Sequence, residues 1–97
     1  MVARGDLGTE LDIRNIPQYQ LRIVAASKSQ EKKVIVATEM LESMISNESP
    51  TRAEVSDVFY AVVEGADYVM LSGETAVGAH PIQCVEMMEK IIQSAEN

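Results

Sequence analysis

The sequence predicts an α/β fold made of three consecutive βα units with parallel strands. Short apolar runs begin near residues 1, 34 and 68, so the pattern repeats every 33 to 34 residues. A polar turn and then a segment with helical spacing follow each run. Strands joined through helices run parallel with right-handed crossovers. The three polar turns are therefore expected at one edge of the sheet, where α/β proteins place their active sites.

The first unit begins with Met1–Ala3, which has the apolar character of the end of a buried strand. Residues 5–8 contain two glycines and are predicted to form a turn, with at most one helical turn in it. Residues 9–15 are a polar connection. Ile16 and Pro17 open a helix, because proline is tolerated in the first turn. The predicted inward face of that helix consists of Leu21, Val24 and Ala25.

The second unit begins with the continuous β-branched run Val34–Ala37, which is typical of a strand buried on both faces. A short helix is predicted around Met40–Ile45. Thr51 and Glu54 then form a capping box, which marks the start of a longer helix. Gly65 is the expected C-cap of that helix. Its apolar face has i, i+3, i+4, i+7 spacing and consists of Val55, Val58, Phe59 and Val62.

The third unit begins with the apolar strand Tyr68–Leu71 and continues into the polar turn Ser72–Thr75. Pro81 is predicted at the first position of the last helix. The predicted inward face of this helix consists of Ile82, Val85, Met88 (or Glu89) and Ile92.

Three such units cannot close a sheet on themselves. An eight-stranded barrel needs about 250 residues, and this chain has 97. An open sheet of three buried-type strands would leave two apolar edges without a partner. The chain is therefore interpreted as a piece of a larger structure.

The composition excludes several classes of function. Hydrophobic residues make up 46% of the chain and charged residues 24%, which is ordinary for a folded soluble domain. The net charge is −7, which argues against nucleic acid or an anionic membrane as a partner. No apolar run approaches the roughly 20 residues that span a bilayer. The single cysteine, Cys84, cannot form an internal disulfide and fits a reducing, cytoplasmic location.

The strongest candidate site is Arg4-Gly5-Asp6. A carboxylate beside free backbone N–H groups suits a divalent cation that carries an anionic substrate. The same residues could equally form a tight turn without a ligand. The sequence does not support a nucleotide-binding P-loop, because no Lys-Ser/Thr pair follows the glycines at 73 and 78. It does not support a hydrolase site at Ser72 either, because no nucleophile-elbow pattern surrounds this serine.

Four sequence blocks resemble signature segments of the pyruvate kinase family, in the family's order and spacing. They are Met1–Gly8, Ala37–Met44, Pro50–Val58 and Met70–Ala76. The resemblance covers the whole chain and implies that residues 1–97 are the last three βα units, the C-terminal part, of that family's catalytic (β/α)8 barrel. The reaction implied is Mg²⁺-dependent phosphoryl transfer from phosphoenolpyruvate to ADP, which gives pyruvate and ATP in glycolysis.

The resemblance also implies roles for individual residues. Asp6 would be a Mg²⁺ ligand, and the backbone N–H groups of Gly5 and Asp6 would hold the substrate carboxylate. Thr38 would contact the same carboxylate near the enolate carbon that must be protonated. Ser72 would belong to the proton-relay network.

Two arginines, Arg4 and Arg52, resemble residues of a subunit interface, in a family that forms tetramers. Glu39 departs from the family pattern, which has an amide at that position. The catalytic lysine, a second acidic metal ligand, the K⁺ site and the nucleotide contacts would all lie outside this stretch.

The resemblance leaves two hypotheses. In the first, the chain is a segment of the enzyme that supplies one metal ligand and part of the substrate site, and it is inactive alone. In the second, it is a non-catalytic truncated barrel module that associates with itself or with complementary barrel units through its open edges.

Overall fold

The computed structural model describes residues 1–97 and contains one three-stranded parallel sheet in the order β1-β2-β3. The strands are β1 (Val2–Ala3), β2 (Ile35–Ala37) and β3 (Tyr68–Met70). The helices are α1 (Arg4–Glu10), α2 (Ile16–Ser29), α3 (Arg52–Glu64), α4 (Gly73–Ala76) and α5 (Pro81–Glu96), and 3₁₀ turns cover Ile13–Asn15 and Glu42–Ile45.

The register of the sheet follows the sequence repeat. Val2 pairs with Val36, and Val36 pairs in turn with Val69, so equivalent positions of the three units lie side by side. The central strand is the best buried, with Val36 and Ala37 both 0% exposed. The predicted three parallel βα units are therefore confirmed, and the outer sides of β1 and β3 carry no further strand.

The core lies around β2 and is small. One cluster joins Val36 of the sheet to Val24 of α2, Val58 of α3 and Cys84 of α5. Only 15 of the 97 residues are buried, so most of the apolar surface on the helices stays accessible in this chain. None of the helices combines the length and hydropathy needed to span a membrane.

Helix α3 begins and ends where its capping residues predict. The Thr51 side chain accepts a hydrogen bond from the Glu54 N–H at 3.1 Å, and the Glu54 carboxylate accepts one from the Thr51 N–H at 2.9 Å. This reciprocal pair is the capping box. At the other end, Gly65 has φ of 115°, the left-handed conformation that glycine adopts without steric cost.

The predicted turn at residues 5–8 is wrong in extent, because these residues lie inside the seven-residue helix α1. The two glycines favour a turn because glycine adopts positive φ without steric cost, but neither Gly5 nor Gly8 has a positive φ in the structure. Tertiary contact overrides this preference: α1 starts directly at the end of β1, and its Gly5 N–H is bonded outside the helix to the Thr38 side chain. Asp6 lies in the first turn, where the helix dipole favours a negative charge.

The predicted inward face of α5 is rotated from the observed one. The buried residues are Cys84, Met88 and Ile91, whereas Ile82 is 69% and Val85 53% exposed. Val85 lines an open apolar groove beside β3 with Val69 and Leu71. The periodicity identified the apolar positions correctly, but it could not separate those facing the core from those facing the open side of β3.

Helix α2 shows the same effect. Val24 is fully buried as predicted, but Leu21 is 50% exposed and Ala25 is also exposed. The short helix predicted around residues 40–45 is the 3₁₀ turn Glu42–Ile45, with Met40, Leu41 and Met44 buried around it.

Candidate functional site

The carboxyl ends of the three strands bring two of the candidate residues into direct contact. The Gly5 N–H donates a hydrogen bond to Thr38 Oγ1 at 2.7 Å, which joins the segment after β1 to the turn after β2. A Cβ added at Gly5 would lie 3.6 Å from Thr38 Oγ1, in ordinary van der Waals contact. The Gly5 N–H can donate to Thr38 because the first N–H groups of a helix have no acceptor within the helix.

The turn after β2 has an uncommon backbone. Thr38 has φ of 75° and Glu39 has φ of 58°, both in the left-handed region that non-glycine residues rarely occupy. A β-branched residue such as Thr38 carries a particular steric cost there. Such residues persist where surrounding contacts fix them, and they concentrate at functional sites.

Arg4 supplies one set of those contacts. Its Nη2 donates to the Thr38 carbonyl at 2.7 Å, and its Nε lies 3.3 Å from the Ala37 carbonyl. Its Nη1 donates to Asp57 Oδ1 of α3 at 2.6 Å. The Arg4 side chain is only 12% exposed, so this ion pair is largely sheltered from solvent. Arg4 thus ties the turn after β2 to α3 within this chain.

Glu74 supplies a second set of contacts. Its side chain is 0% exposed. Glu74 Oε2 accepts a hydrogen bond from the Leu41 N–H at 3.0 Å, and Oε1 accepts one from the Ser72 N–H at 3.1 Å. The carboxylate therefore connects the turn after β2 with the turn after β3.

Sequence reasoning missed Asp57 and Glu74 as individual residues. Asp57 offered no signal of burial, because it lies on the side of α3 away from the apolar positions Val55 and Val58. Glu74 offered none either. It stands in a polar turn among Ser72, Gly73 and Thr75, which reads as solvent-exposed.

The remaining candidate residues are accessible. Asp6 is exposed in the first turn of α1, and Ser72 is exposed after β3. Arg52 is exposed at the start of α3 and forms no ion pair within the chain. No hydrogen bond joins the Ser72 side chain to Thr38. Glu74 connects the Ser72 N–H to the N–H of Leu41, three residues after Thr38.

The chain does not offer a complete set of metal ligands at this edge. No group of three or more His, Cys, Asp and Glu side chains is placed to hold a metal. Mg²⁺ needs only one or two protein carboxylates when substrate oxygens and water complete its octahedron. The exposed Asp6 fits such a partial role.

The edge also carries a concentration of negative charge. Burial raises the pKa of Glu42, and the nearby carboxylates of Glu74, Glu39 and Glu54 raise it further. An anionic substrate would be repelled here unless a cation is bound with it.

A cleft of about 450 Å³ opens next to the Gly5–Thr38 contact. Gly8 and Thr9 of α1 line one side, and Thr38 and Glu39 line the other. Asp6 is not among the residues that line this cleft.

Comparison with known proteins agrees with this architecture. Residues 1–85 match the family model described as "Pyruvate kinase, barrel domain". The chain is 54% identical over 96 residues to a pyruvate kinase of Agrobacterium vitis and 55% identical over 97 residues to one of Mycobacterium intracellulare. It is 56% identical over 97 residues to the chloroplastic pyruvate kinase isozyme G of Ricinus communis.

These alignments cover 99 to 100% of this chain but only 20 to 23% of the relatives. The chain thus spans about a fifth of the length of the curated relatives it matches. The family model and the identity over the whole chain agree with the three parallel βα units, and the chain belongs to the pyruvate kinase family.

Proposed function

We propose that residues 1–97 are the C-terminal part of the catalytic (β/α)8 barrel of a cytoplasmic pyruvate kinase. The full-length enzyme would transfer a phosphoryl group from phosphoenolpyruvate to ADP and release pyruvate and ATP. The observation that carries the proposal is the 2.7 Å hydrogen bond between the Gly5 N–H and Thr38 Oγ1, which joins two strand ends next to the accessible carboxylate of Asp6.

The chemistry suits such a site. Phosphoryl transfer depends on positioning and on neutralising charge more than on covalent help from the protein. A Mg²⁺ ion held in part by Asp6 would supply positive charge at an edge that is otherwise acidic. Its remaining ligands, and the K⁺ site expected for the family, would come from residues outside this chain.

The substrate carboxylate would lie at the start of α1. In the chain as described, the Gly5 N–H is already engaged by the Thr38 hydroxyl. A substrate carboxylate that accepts from Gly5 and Asp6 would therefore take the place of the Thr38 oxygen or share its donor. The Thr38 hydroxyl oxygen only accepts in its contact with Gly5, so its own O–H could donate toward the bound substrate in either case, with Ser72 further along the proton path.

The subunit contacts are part of the same proposal. Arg52 is exposed without an ion pair on α3, which supports a role in a subunit interface of a homotetramer. Arg4 would act in that interface indirectly, because its guanidinium is already bonded to Asp57 and the turn after β2.

The test is the substitution Asp6→Asn in the full-length enzyme. Loss of a metal ligand should lower kcat by about 100-fold or more and raise the Mg²⁺ concentration needed for half-maximal activity. Glu10→Gln is the matched control, because Glu10 is an exposed carboxylate on the same helix. Unchanged Mg²⁺ dependence in Asp6→Asn would contradict the assignment, and so would phosphoenolpyruvate turnover by the 97-residue segment alone.

A second candidate function rests on the exposed apolar side chains. Tyr68 is 51% exposed on β3, and Ile82 and Val85 are exposed on α5. These residues favour a non-catalytic module that associates with itself or with complementary barrel units. Sedimentation of the isolated segment, together with an activity assay of the full-length protein, distinguishes the two functions. A segment that stays a stable monomer would contradict the module. A segment that forms a defined oligomer, in a full-length protein without enzyme activity, would support it.

A further inference from the structure

Glu74 is the only acidic residue among the buried side chains of this chain. It forms no ion pair with any lysine, arginine or histidine. A buried carboxylate without a counter-ion is costly unless hydrogen bonds satisfy it. Two backbone N–H donors provide that satisfaction, and no buried side-chain polar atom of the chain lacks a partner.

The two donors belong to different βα units. The Leu41 N–H lies at the end of the turn that begins with Thr38 in its left-handed conformation. The Ser72 N–H lies directly after β3. One carboxylate therefore fixes the separation between the turns that carry Thr38 and Ser72.

Glu74 and Arg4 hold the turn after β2 from its two ends. The Arg4 cation binds the carbonyl groups of Ala37 and Thr38, where the turn begins. The Glu74 carboxylate binds the N–H of Leu41, where the turn ends. Each charge meets backbone dipoles of the opposite sign, which makes the hydrogen bonds stronger than neutral ones.

Each oxygen of the Glu74 carboxylate accepts one hydrogen bond from a backbone N–H group. An ionised carboxylate has only acceptor sites, which matches two N–H donors and requires no proton on either oxygen.

We propose that Glu74 is a positioning residue for the reaction assigned above: by holding Leu41 and Ser72 it keeps the Thr38 hydroxyl at the substrate. This inference rests on the proposed function. Glu74 contacts neither substrate nor metal in this arrangement, and its effect on the reaction passes through the turn after β2.

The main experiment is a double-mutant cycle in the full-length enzyme with Glu74→Gln and Thr38→Val. A glutamine presents an NH₂ group to one of the two N–H donors, so one hydrogen bond is lost while the shape is kept. Glu74→Gln alone should lower kcat by about 10-fold or more. If Glu74 acts through Thr38, the two effects are not additive, and Glu74→Gln should lower kcat by less than about threefold in the Thr38→Val background.

Glu54→Gln is the matched control. Glu54 also accepts hydrogen bonds from two backbone N–H groups, those of Ser43 and Thr51, but it holds neither Leu41 nor Ser72. It should lower the melting temperature while kcat stays within about twofold. Equal kcat losses in both glutamine variants, or effects of Glu74→Gln and Thr38→Val that simply multiply, would overturn the positioning role.

A measurement on the unmodified enzyme guards against variants that fail to fold. The amide protons of Leu41 and Ser72 lie outside the helices and strands, yet both should be protected from hydrogen exchange. Rapid exchange of either would overturn the inference. Absence of phosphoenolpyruvate turnover in the unmodified enzyme would instead refute the proposed function, so the two failures are distinguishable.

Discussion

The turn after β2 and the outer sides of the sheet are built in opposite ways. At the turn, Arg4 and Glu74 lie largely or fully buried, and their polar atoms are paired within the chain. Along the outer sides, Tyr68, Ile82 and Val85 expose apolar surface that nothing in the chain covers. The difference indicates that the polar edge is assembled inside these three units, whereas the apolar sides need neighbouring parts of a larger protein.

The largest effect is expected from a charge placed on the apolar side. In the full-length enzyme a neighbouring unit should cover Val85, so Val85→Asp should destabilise by about 3 kcal/mol, the cost of an unpaired buried charge. Chemical denaturation measures it. Gln83→Asp, at an exposed position of the same helix, should cost less than about 0.5 kcal/mol. Equally small losses of stability in the two variants would mean that this side of α5 is exposed to solvent in the full-length enzyme.

The next largest effect is expected from Arg4→Ala. The substitution removes the donors to the Thr38 carbonyl and to Asp57, at a cost of about 2 kcal/mol. Lys28→Ala is the control, because the Lys28–Asp67 pair has side chains 46% and 25% exposed and should contribute less than the sheltered Arg4 contacts. Equal losses in the two variants would show that the turn does not depend on its buried cation.

A smaller effect is expected at Gly78, which packs against the turn that carries Glu74. A Cβ at Gly78 would collide with the Glu74 carbonyl and lie 3.2 Å from Ile45 Cα, both backbone atoms that cannot move freely. Gly78→Ala should cost about 1.5 kcal/mol through overpacking. A Cβ at Gly8 of α1 has nothing within 4 Å, so Gly8→Ala should stabilise by about 0.5 kcal/mol. Tolerance of alanine at Gly78 would contradict the close packing.

The smallest effect is expected in the pH dependence of stability at Glu54. Burial tends to raise the pKa of Glu54, but hydrogen bonds from Ser43 and Thr51 outweigh it and hold the pKa below its ordinary value. A lowered folded-state pKa contributes stability above the unfolded-state pKa of about 4.3, and this contribution is lost as pH falls through the folded-state value.

Glu54→Gln should therefore destabilise at pH 7 and converge with the unmodified protein in acid. Denaturation curves at several pH values measure the convergence. Glu89→Gln, at an exposed position without hydrogen bonds, should show no such convergence. A constant difference across the range would assign the Glu54 effect to packing instead.

The sequence was sufficient for the features that local chemistry determines. The β-branched run Val34–Ala37 and the capping box at Thr51 fixed a strand and a helix start, and both are confirmed. The full length of helix α1 was not predicted, because a contact 33 residues away, from Gly5 to Thr38, outweighs the preference of its glycines for a turn. The buried face of α5 was predicted at the wrong rotation, because periodicity identifies the apolar positions of a helix without showing which neighbour covers them.

The site was predictable in part for the same reason. The repeat correctly placed Gly5 and Thr38 at one edge, because parallel strands of equal spacing bring their ends together. The roles of Asp6 and Ser72 stay predictions, since neither side chain has a partner within the chain. The burial of Glu74 could not be predicted from the sequence. It depends on the packing of α5 and on backbone N–H donors, one of which belongs to another unit.

Three of the hydrogen bonds between successive units recur at the same separation along the chain. Gly5 to Thr38, Val34 to Asp67 and Leu41 to Glu74 are each 33 residues apart. Closing a loop of that length costs on the order of 3 kcal/mol of chain entropy, and the cost is the same at every step. Each unit can therefore dock on the one before it as it leaves the ribosome, without waiting for a distant strand. These three hydrogen bonds thus permit the units to assemble in the order in which they are synthesised.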